Sequence, residues 1–198
     1  MSDWTGNTHS VHSTNGSRHL AVAEREQHDY YATEPKATEL LLELDTFSDV
    51  WECACGGGHM AEVLKTHGLL STASDKYDYG YGNIFDFLTS PFVPDALWDG
   101  DIITNPPYAF ANQFIEIGIS RLCNGRKLAL FLPIRYLEGK ERKNIFKKYP
   151  PKKVWVSSSR LICARNGDFS KTKDSAVCYA WFIWEKGFSG ETKLGWFN

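Results

Sequence analysis

Apolar positions along the chain fall into short runs that switch between a period near two and a period near 3.6. Residues 1–28 carry neither: Ser, Thr, Asn, His and Gly follow one another without periodicity, as expected of an arm with little structure of its own. Order is expected from about Asp29. Thr33 reads as a helix N-cap ahead of Glu34-Pro35, and Leu40, Leu41, Leu42 and Leu44 give the apolar face of a helix over Lys36–Leu44. Asp49–Glu52 reads as a short strand, His59–His67 as a helix stopped at Gly68, and Leu69–Ala73 as a second strand. Tyr77–Gly82 is expected to be loop and Ile84–Leu88 a short apolar segment. A strand at Asp101–Thr104, a helix marked by Phe114, Ile115, Ile117, Ile119 and Leu122, and a strand at Lys127–Leu132 follow. Val154–Val156 and Ala176–Trp184 are the last two strands, separated by a polar loop over Ser157–Asp174.

Strands alternating with helices of about ten residues predict an α/β fold, a doubly wound and mostly parallel sheet. Seven strands are expected. No helix intervenes before the last of them, so that strand should run antiparallel to the rest. With 198 residues, 42% apolar and 23% charged, the chain suits one globular domain over residues 29–198 and excludes a fibrous or largely disordered protein. No apolar run is long enough to span a bilayer, so no membrane partner is expected. Five cysteines without an export signal read as reduced thiols, and the expected location is cytoplasmic.

The net charge of −2 conceals a strong segregation. Residues 1–120 balance at −13, whereas residues 121–173 hold 15 Lys and Arg against three acids, a balance of +12. Such a stretch is the footprint of a face that binds polyanions, with a solvated lysine-rich surface as the bland alternative.

Candidate chemistry clusters where strands end. Glu52, Asp75 and Asp86 each close or follow a predicted strand. Between the first acid and its helix lies Cys55-Gly56-Gly57-Gly58, whose missing side chains let a ligand touch backbone. A carboxylate after the second strand suits the vicinal hydroxyls of a ribose. The turn carries no lysine and lacks the G-x-G-x-x-G spacing, which disfavours a phosphate-binding loop and a dinucleotide site. Cys53, Cys55 and His59 lack a second cysteine pair at zinc spacing, so no metal is expected. An acid-flanked glycine turn suits a nucleoside carrying a positive charge, such as S-adenosylmethionine.

The second cluster is Asn105-Pro106-Pro107-Tyr108. Two prolines remove two backbone donors, so the Asn105 side-chain oxygen and the Pro106 carbonyl can accept both hydrogens of an exocyclic amine. Tyr108 offers a flat face for stacking a base.

With these motifs the chain resembles the S-adenosylmethionine-dependent amino-methyltransferases that carry an NPPY motif, most of all the small phage-type DNA adenine-N6 methyltransferases. Trp4-Thr5-Gly6-Asn7 and Tyr30 to Pro35 resemble that family's N-terminal motif. Trp51 to His59 resembles its E-P-A-C-G-x-G-H turn, with Cys53 in place of proline. Ser74-Asp75, Gly80-Tyr81-Gly82, Asp86-Phe87-Leu88 and Leu137 to Lys140 follow as in the family. The resemblance implies a Rossmann-like class I methyltransferase fold that uses S-adenosylmethionine, releases S-adenosylhomocysteine and needs no metal. It places Thr33 and Glu52 near the methionine end of the cofactor, with Ala54, Cys55, Gly56 and Gly58 beneath it, and counts Asn105 among the cofactor-binding residues as well. Asp75 would hold the ribose, Asp86 and Phe87 the adenine, and Asn105 to Tyr108 the target amine of an adenine flipped out of duplex DNA. No long insertion forms a separate target-recognition domain, so weak sequence selectivity is expected.

The basic stretch supplies the expected DNA contacts: Arg135, Lys140, Arg142, Lys143, Lys147, Lys148, Lys152 and Lys153, with Arg160 and Arg165 on a mobile loop running to Lys173. Phe146 is expected to be core. Methylation of RNA or of a protein glutamine is the rival enzymatic reading, since NPPY suits any planar amine or amide. A nucleic-acid-binding protein that keeps the fold without turnover is the non-enzymatic one.

Overall fold

A computed structural model describes residues 30–90, 97–165, 167–170 and 175–198. The arm expected over residues 1–28, its Trp4-Thr5-Gly6-Asn7 motif, Lys171 and Lys173 lie outside the described residues. Eight strands form the main sheet: β2 (Val50–Glu52), β3 (Leu70–Asp75), β4 (Asn83–Ile84), β5 (Ile102–Thr104), β6 (Lys127–Pro133), β7 (Lys153–Ser157), β9 (Tyr179–Glu185) and β10 (Lys193–Phe197). Their spatial order is β10-β7-β9-β6-β5-β2-β3-β4, and only β9 runs antiparallel to its neighbours. The doubly wound, mostly parallel sheet is therefore as the sequence predicts, with eight strands where seven are expected. The antiparallel strand is followed by β10, which returns to the edge beside β7.

Helices cover both faces. α1 (Pro35–Leu44) and α2 (His59–Thr66) pack Ala37, Leu41, Met60 and Leu64 against Ile103, Phe131, Trp181 and Ile183. On the other face α3 (Ala111–Arg121) and α4 (Lys140–Lys148) pack Phe114, Ile115, Ile119 and Ile145 against Leu128, Leu130, Phe182 and Trp184. Strands β6 and β9 are apolar at successive positions because odd and even side chains meet different helical layers. Buried indoles find partners: Trp181 Nε1 donates to the Ala37 carbonyl and Trp184 Nε1 to that of Tyr149, both at 2.9 Å.

Two local expectations are corrected. Thr33 is not an N-cap; it ends a short strand β1 (Tyr31–Thr33), and the cap position of α1 is Glu34, with no side-chain capping bond. The loop between β7 and β9 is not wholly irregular, because β8 (Cys163–Arg165) pairs antiparallel with β1 in a separate two-stranded sheet. Glu34 fastens this pair: its N–H donates to the Ile162 carbonyl at 3.0 Å and its carboxylate accepts the Ile162 N–H at 2.6 Å. Ile84–Leu88 contributes only the two-residue β4, with Ile84 exposed. Among the described residues no helix is long and apolar enough to cross a membrane.

Candidate active site

Strand order reverses at β2, which lies between β3 and β5, and the carboxyl ends of strands at such a switch point open into a crevice. A cavity of about 750 Å³ occupies that place. Thr33, Glu52, Ala54, Cys55, Asp75, Asp86, Phe87 and Asn105 to Tyr108 all line it, so both predicted clusters share one chamber.

Glu52 closes β2 with 2% of its surface exposed, and its Oε2 has no hydrogen-bond partner among the described residues. Burial, then repulsion from Asp75, raises its pKa well above the usual carboxylate range, while the Ala61 backbone offsets part of this. Asp75 ends β3 and braces the glycine turn, its carboxylate accepting from Gly56 N–H at 2.9 Å and Tyr77 N–H at 3.1 Å. Asp86 is partly buried, which opposes ionisation. Bonds from Thr89, the Leu88 N–H and the Lys76 ammonium (3.1 Å) outweigh that and lower its pKa.

The glycine turn is built as its sequence requires but is covered by the chain itself. Gly56 and Gly58 have φ of +49° and +83°, which side chains disfavour. A Cβ on Gly56 would stand 2.1 Å from the Tyr30 ring, and one on Gly58 would stand 2.4 Å from the Tyr81 ring. The Tyr30 hydroxyl accepts the Gly57 N–H at 2.9 Å and meets His59 Nδ1 at 3.3 Å. The space the glycines leave thus holds two tyrosines, and Gly56 and Gly58 are not among the cavity-lining residues. Phe87 lines the cavity, but its ring belongs to the core. Phe114 stacks on it at 5.1 Å and the Arg121 guanidinium stands 4.7 Å from its centroid.

Asn105 has the most telling surroundings. Its Nδ2 donates to Thr33 Oγ1 at 2.9 Å and to the Tyr31 carbonyl at 3.3 Å. A carbonyl can only accept, so the amide nitrogen must face Tyr31 and the oxygen must face away. That oxygen, Oδ1, is buried and has no partner among the described residues. Tyr108 opens a turn of 3-10 helix beside it and is half-buried. Burial of its hydroxyl near Cys163 and Tyr179 pushes the pKa well up, so the phenol stays neutral. Cys163 Sγ lies 3.8 Å from both Asn105 Nδ2 and the Tyr108 hydroxyl.

Tyr30 and Tyr81 lie in motifs that carry the resemblance but have no role assigned from sequence, and Cys163 is not singled out by the sequence at all. The apolar run Leu161 to Ala164 inside a polar stretch is the signal that could have revealed β8 and its cysteine. Of the possible metal ligands, the Cys53 side chain is buried in the core. The Cys55 thiol donates to the carbonyls of Gly56 and Tyr81, and burial pushes its pKa up to about 12.

The basic stretch divides. Lys140, Lys143 and Lys147 are exposed and, with Leu137 and Phe146, line a shallow groove along α4. Arg142 lies over the Tyr136 ring at 4.5 Å and donates to the carbonyls of Arg135 and Glu138. Lys148 pairs with Glu116 at 3.1 Å, and Arg160 donates to Cys178 Sγ. Arg135 and Arg165 are exposed. Lys152 and Lys153 sit at the opposite, amino end of the parallel strands, paired with Glu185 at 2.6 Å and Asp45 at 2.8 Å. They do not join the groove.

No family model matches the chain, and no curated protein matches it either. Solved structures do. A proposed class I S-adenosylmethionine-dependent methyltransferase from Listeria monocytogenes superimposes with a TM-score of 0.54 at 14% identity, over 81% of this chain and 62% of its own. A modification subunit of a proposed type I restriction enzyme from Vibrio vulnificus gives 0.57 at 14%, over 96% and 51%. The modification protein of the type I restriction enzyme EcoKI gives 0.54 at 15%, over 80% and 44%. The chain thus spans less than two thirds of each of these structures, and the fold is the Rossmann-like fold of class I methyltransferases.

Proposed function

We propose that this protein transfers a methyl group from S-adenosylmethionine to the N6 amine of adenine in DNA. The observation that carries the reading is the Asn105 amide in the cavity wall, with its nitrogen tethered to Thr33 and Tyr31 and its oxygen buried and without a partner among the described residues. A buried acceptor without a donor costs free energy, about 1–3 kcal/mol, and a substrate N–H removes that cost. The residues present fit the cofactor: the Glu52 carboxylate, whose Oε2 has no partner among the described residues, suits a sulfonium, Asp75 at the strand end suits ribose hydroxyls, and ionised Asp86 suits a purine amine. When bound, S-adenosylmethionine supplies an electrophilic methyl carbon whose bond to sulfur breaks as its bond to nitrogen forms, leaving S-adenosylhomocysteine.

The chain's own part is orientation and charge. Asn105 Oδ1 and the Pro106 carbonyl accept the two amine hydrogens and draw them out of the ring plane, so the nitrogen lone pair leaves the ring's conjugation and becomes nucleophilic. Asn105 holds one of these protons but, as an amide, does not take it. Water receives the proton shed by the methylated nitrogen. Tyr108 packs its neutral ring against the base, and the exposed α4 lysines meet phosphates. With residues 29–198 acting as one domain that holds no long insertion, weak selectivity for sequence is expected. The modification components among the structures sharing this fold support DNA as the substrate.

The test is to incubate the protein and methyl-labelled cofactor with duplex DNA, single-stranded DNA, RNA or protein, then identify the labelled product by mass spectrometry. N6-methyladenine from DNA is the expected result. Label confined to cytosine, RNA or glutamine reassigns the substrate, and no label in any of them overturns the reading.

A further inference from the structure

We infer that Thr33 is a positioning residue for Asn105, and that the β1–β8 pair exists at this site to hold it in place. The inference rests on the proposed function, since it concerns how the same amide is aimed. The resemblance by itself assigns Thr33 to the methionine end of the cofactor; the contacts of its side chain point elsewhere. Thr33 is 4% exposed, and its Oγ1 accepts from Asn105 Nδ2 at 2.9 Å, the shorter of the two oxygen contacts that this nitrogen makes.

An asparagine with one orphaned end can turn about its last torsion, which is broad and nearly two-fold. Left alone, Asn105 would present nitrogen to the cavity in part of the population, and an N–H facing the target amine repels it. The Tyr31 carbonyl, which can only accept, excludes that state, and the Thr33 hydroxyl strengthens the hold by accepting from the same nitrogen at the shorter distance. Their spacing follows from strand geometry: the residues are two apart, on one extended segment, and the strand is clamped from outside. Thr33 faces Cys163 in the register, Tyr31 faces Arg165, and the two Glu34–Ile162 bonds lock the end of the ladder. Cys163 Sγ, at 3.8 Å from Nδ2, adds a third weak acceptor on the same side. A cofactor contact by Thr33 would need none of this apparatus.

Thr33→Val keeps the shape and β-propensity of the side chain and removes the acceptor. The expected result is a fall in kcat of about tenfold, the worth of one hydrogen bond. KM for DNA and Kd for S-adenosylhomocysteine, measured by calorimetry, should stay within about twofold of wild type. Thr33→Ser should restore the rate. In an Asn105→Ala background, Thr33→Val should cost nothing more, because there is no amide left to aim. A second readout needs no turnover: the Asn105 side-chain amide, assigned by its loss in Asn105→Ala, should exchange with solvent at least about tenfold faster in Thr33→Val. Should the valine variant fail to fold, Thr33→Ala carries the same measurements.

Loss of cofactor affinity with kcat intact at saturation would make Thr33 a cofactor contact and overturn the inference. So would an additive loss in the Asn105→Ala background, or unchanged amide exchange. A wild-type protein that methylates nothing overturns the proposed function and this role with it. An active wild type alongside a fully active Thr33→Val overturns the role of Thr33 alone.

Discussion

At Asn105 the two ends of one amide meet different surroundings, and the difference separates binding from chemistry. The nitrogen is satisfied within the protein, whereas the oxygen waits for a donor. Asn105→Ala should therefore leave affinity for DNA and cofactor within about twofold, while the methylation rate falls by about 10²–10³, the range for one lost transition-state hydrogen bond. Single-turnover kinetics with nucleoside analysis measures this, and a variant as active as wild type would remove Asn105 from the mechanism. Glu52 gives a prediction about pH. Burial first, and Asp75 second, raise its pKa, so the empty fold favours the protonated acid. An acid raised in this way stabilises the fold below its ordinary value near 4.5, and the contribution is lost as pH rises through the higher folded value. A cation beside it reverses the preference and expels the proton. Affinity for S-adenosylmethionine should thus increase with pH above about 4.5, whereas affinity for the uncharged sulfur of S-adenosylhomocysteine should change little. Glu52→Gln should erase that slope, weaken S-adenosylmethionine by about tenfold and raise the Tm of the empty protein at neutral pH. Calorimetry of both ligands across pH gives the comparison, and equal slopes would place the sulfonium elsewhere.

At the scale of elements, α4 exposes three lysines, Lys140, Lys143 and Lys147, that make no ion pair among the described residues. Lys140, Lys143 and Lys147 recur at helical spacing and share a face, with Phe146 and Leu137 beneath. Replacing all three by Gln should lower the salt dependence of DNA affinity by up to about 0.9 per phosphate released. The Lys152→Gln and Lys153→Gln pair should leave the slope unchanged, since both ammoniums are already paired at the far end of the sheet. Anisotropy of a labelled duplex against salt concentration reads both, and identical slopes in wild type and triple variant would return α4 to a solvated surface. Charge counting alone could not draw this division, because a linear count does not say at which end of a strand a lysine lies. The same limit explains what else was legible. β6 and β9 are long apolar runs, buried on both faces, and they declare themselves. β8 and β10 do not. Cys163–Arg165 is a strand only because β1 lies beside it, and Lys193–Phe197 has a glycine at its centre over which the Trp155 ring packs. Thr33 shows how tertiary pairing overrides a local cap signal. The cavity residues themselves were readable, since acids and NPPY sit where strands end. The tyrosines covering the glycine turn were not, because nothing in local spacing brings Tyr81 to Gly58.

Across the whole molecule the two ends of the sheet do different work, and Asp45 anchors the end away from the cavity. Its carboxylate follows α1, is 8% exposed at the side chain, and receives Lys127 at 2.9 Å from β6 and Lys153 at 2.8 Å from β7. Desolvation opposes its ionisation, but the two lysine bonds and the Thr46 N–H prevail and lower its pKa. One acid thereby ties a helix on one face to two strands that are separated in the sheet by β9. Asp45→Asn keeps the shape but leaves both ammoniums without their anion, so the loss should approach the lower end of the range for broken buried pairs, about 3 kcal/mol. For a chain of this size that is a fall in Tm of about 6–12 °C. The pH dependence follows from the direction of the shift. An acid with a lowered folded pKa contributes fully above its ordinary value of 3.8, and the contribution disappears as pH falls through the lower folded value. The gap in Tm between wild type and Asp45→Asn should thus be widest near neutrality and close in strong acid, while methyl transfer per folded molecule stays the same because the cavity lies at the other end of the strands. Thermal unfolding of both proteins from about pH 7 to about pH 1 measures the gap. A gap that persists at acid pH would show that the aspartate acts through hydrogen-bond geometry alone, without its charge.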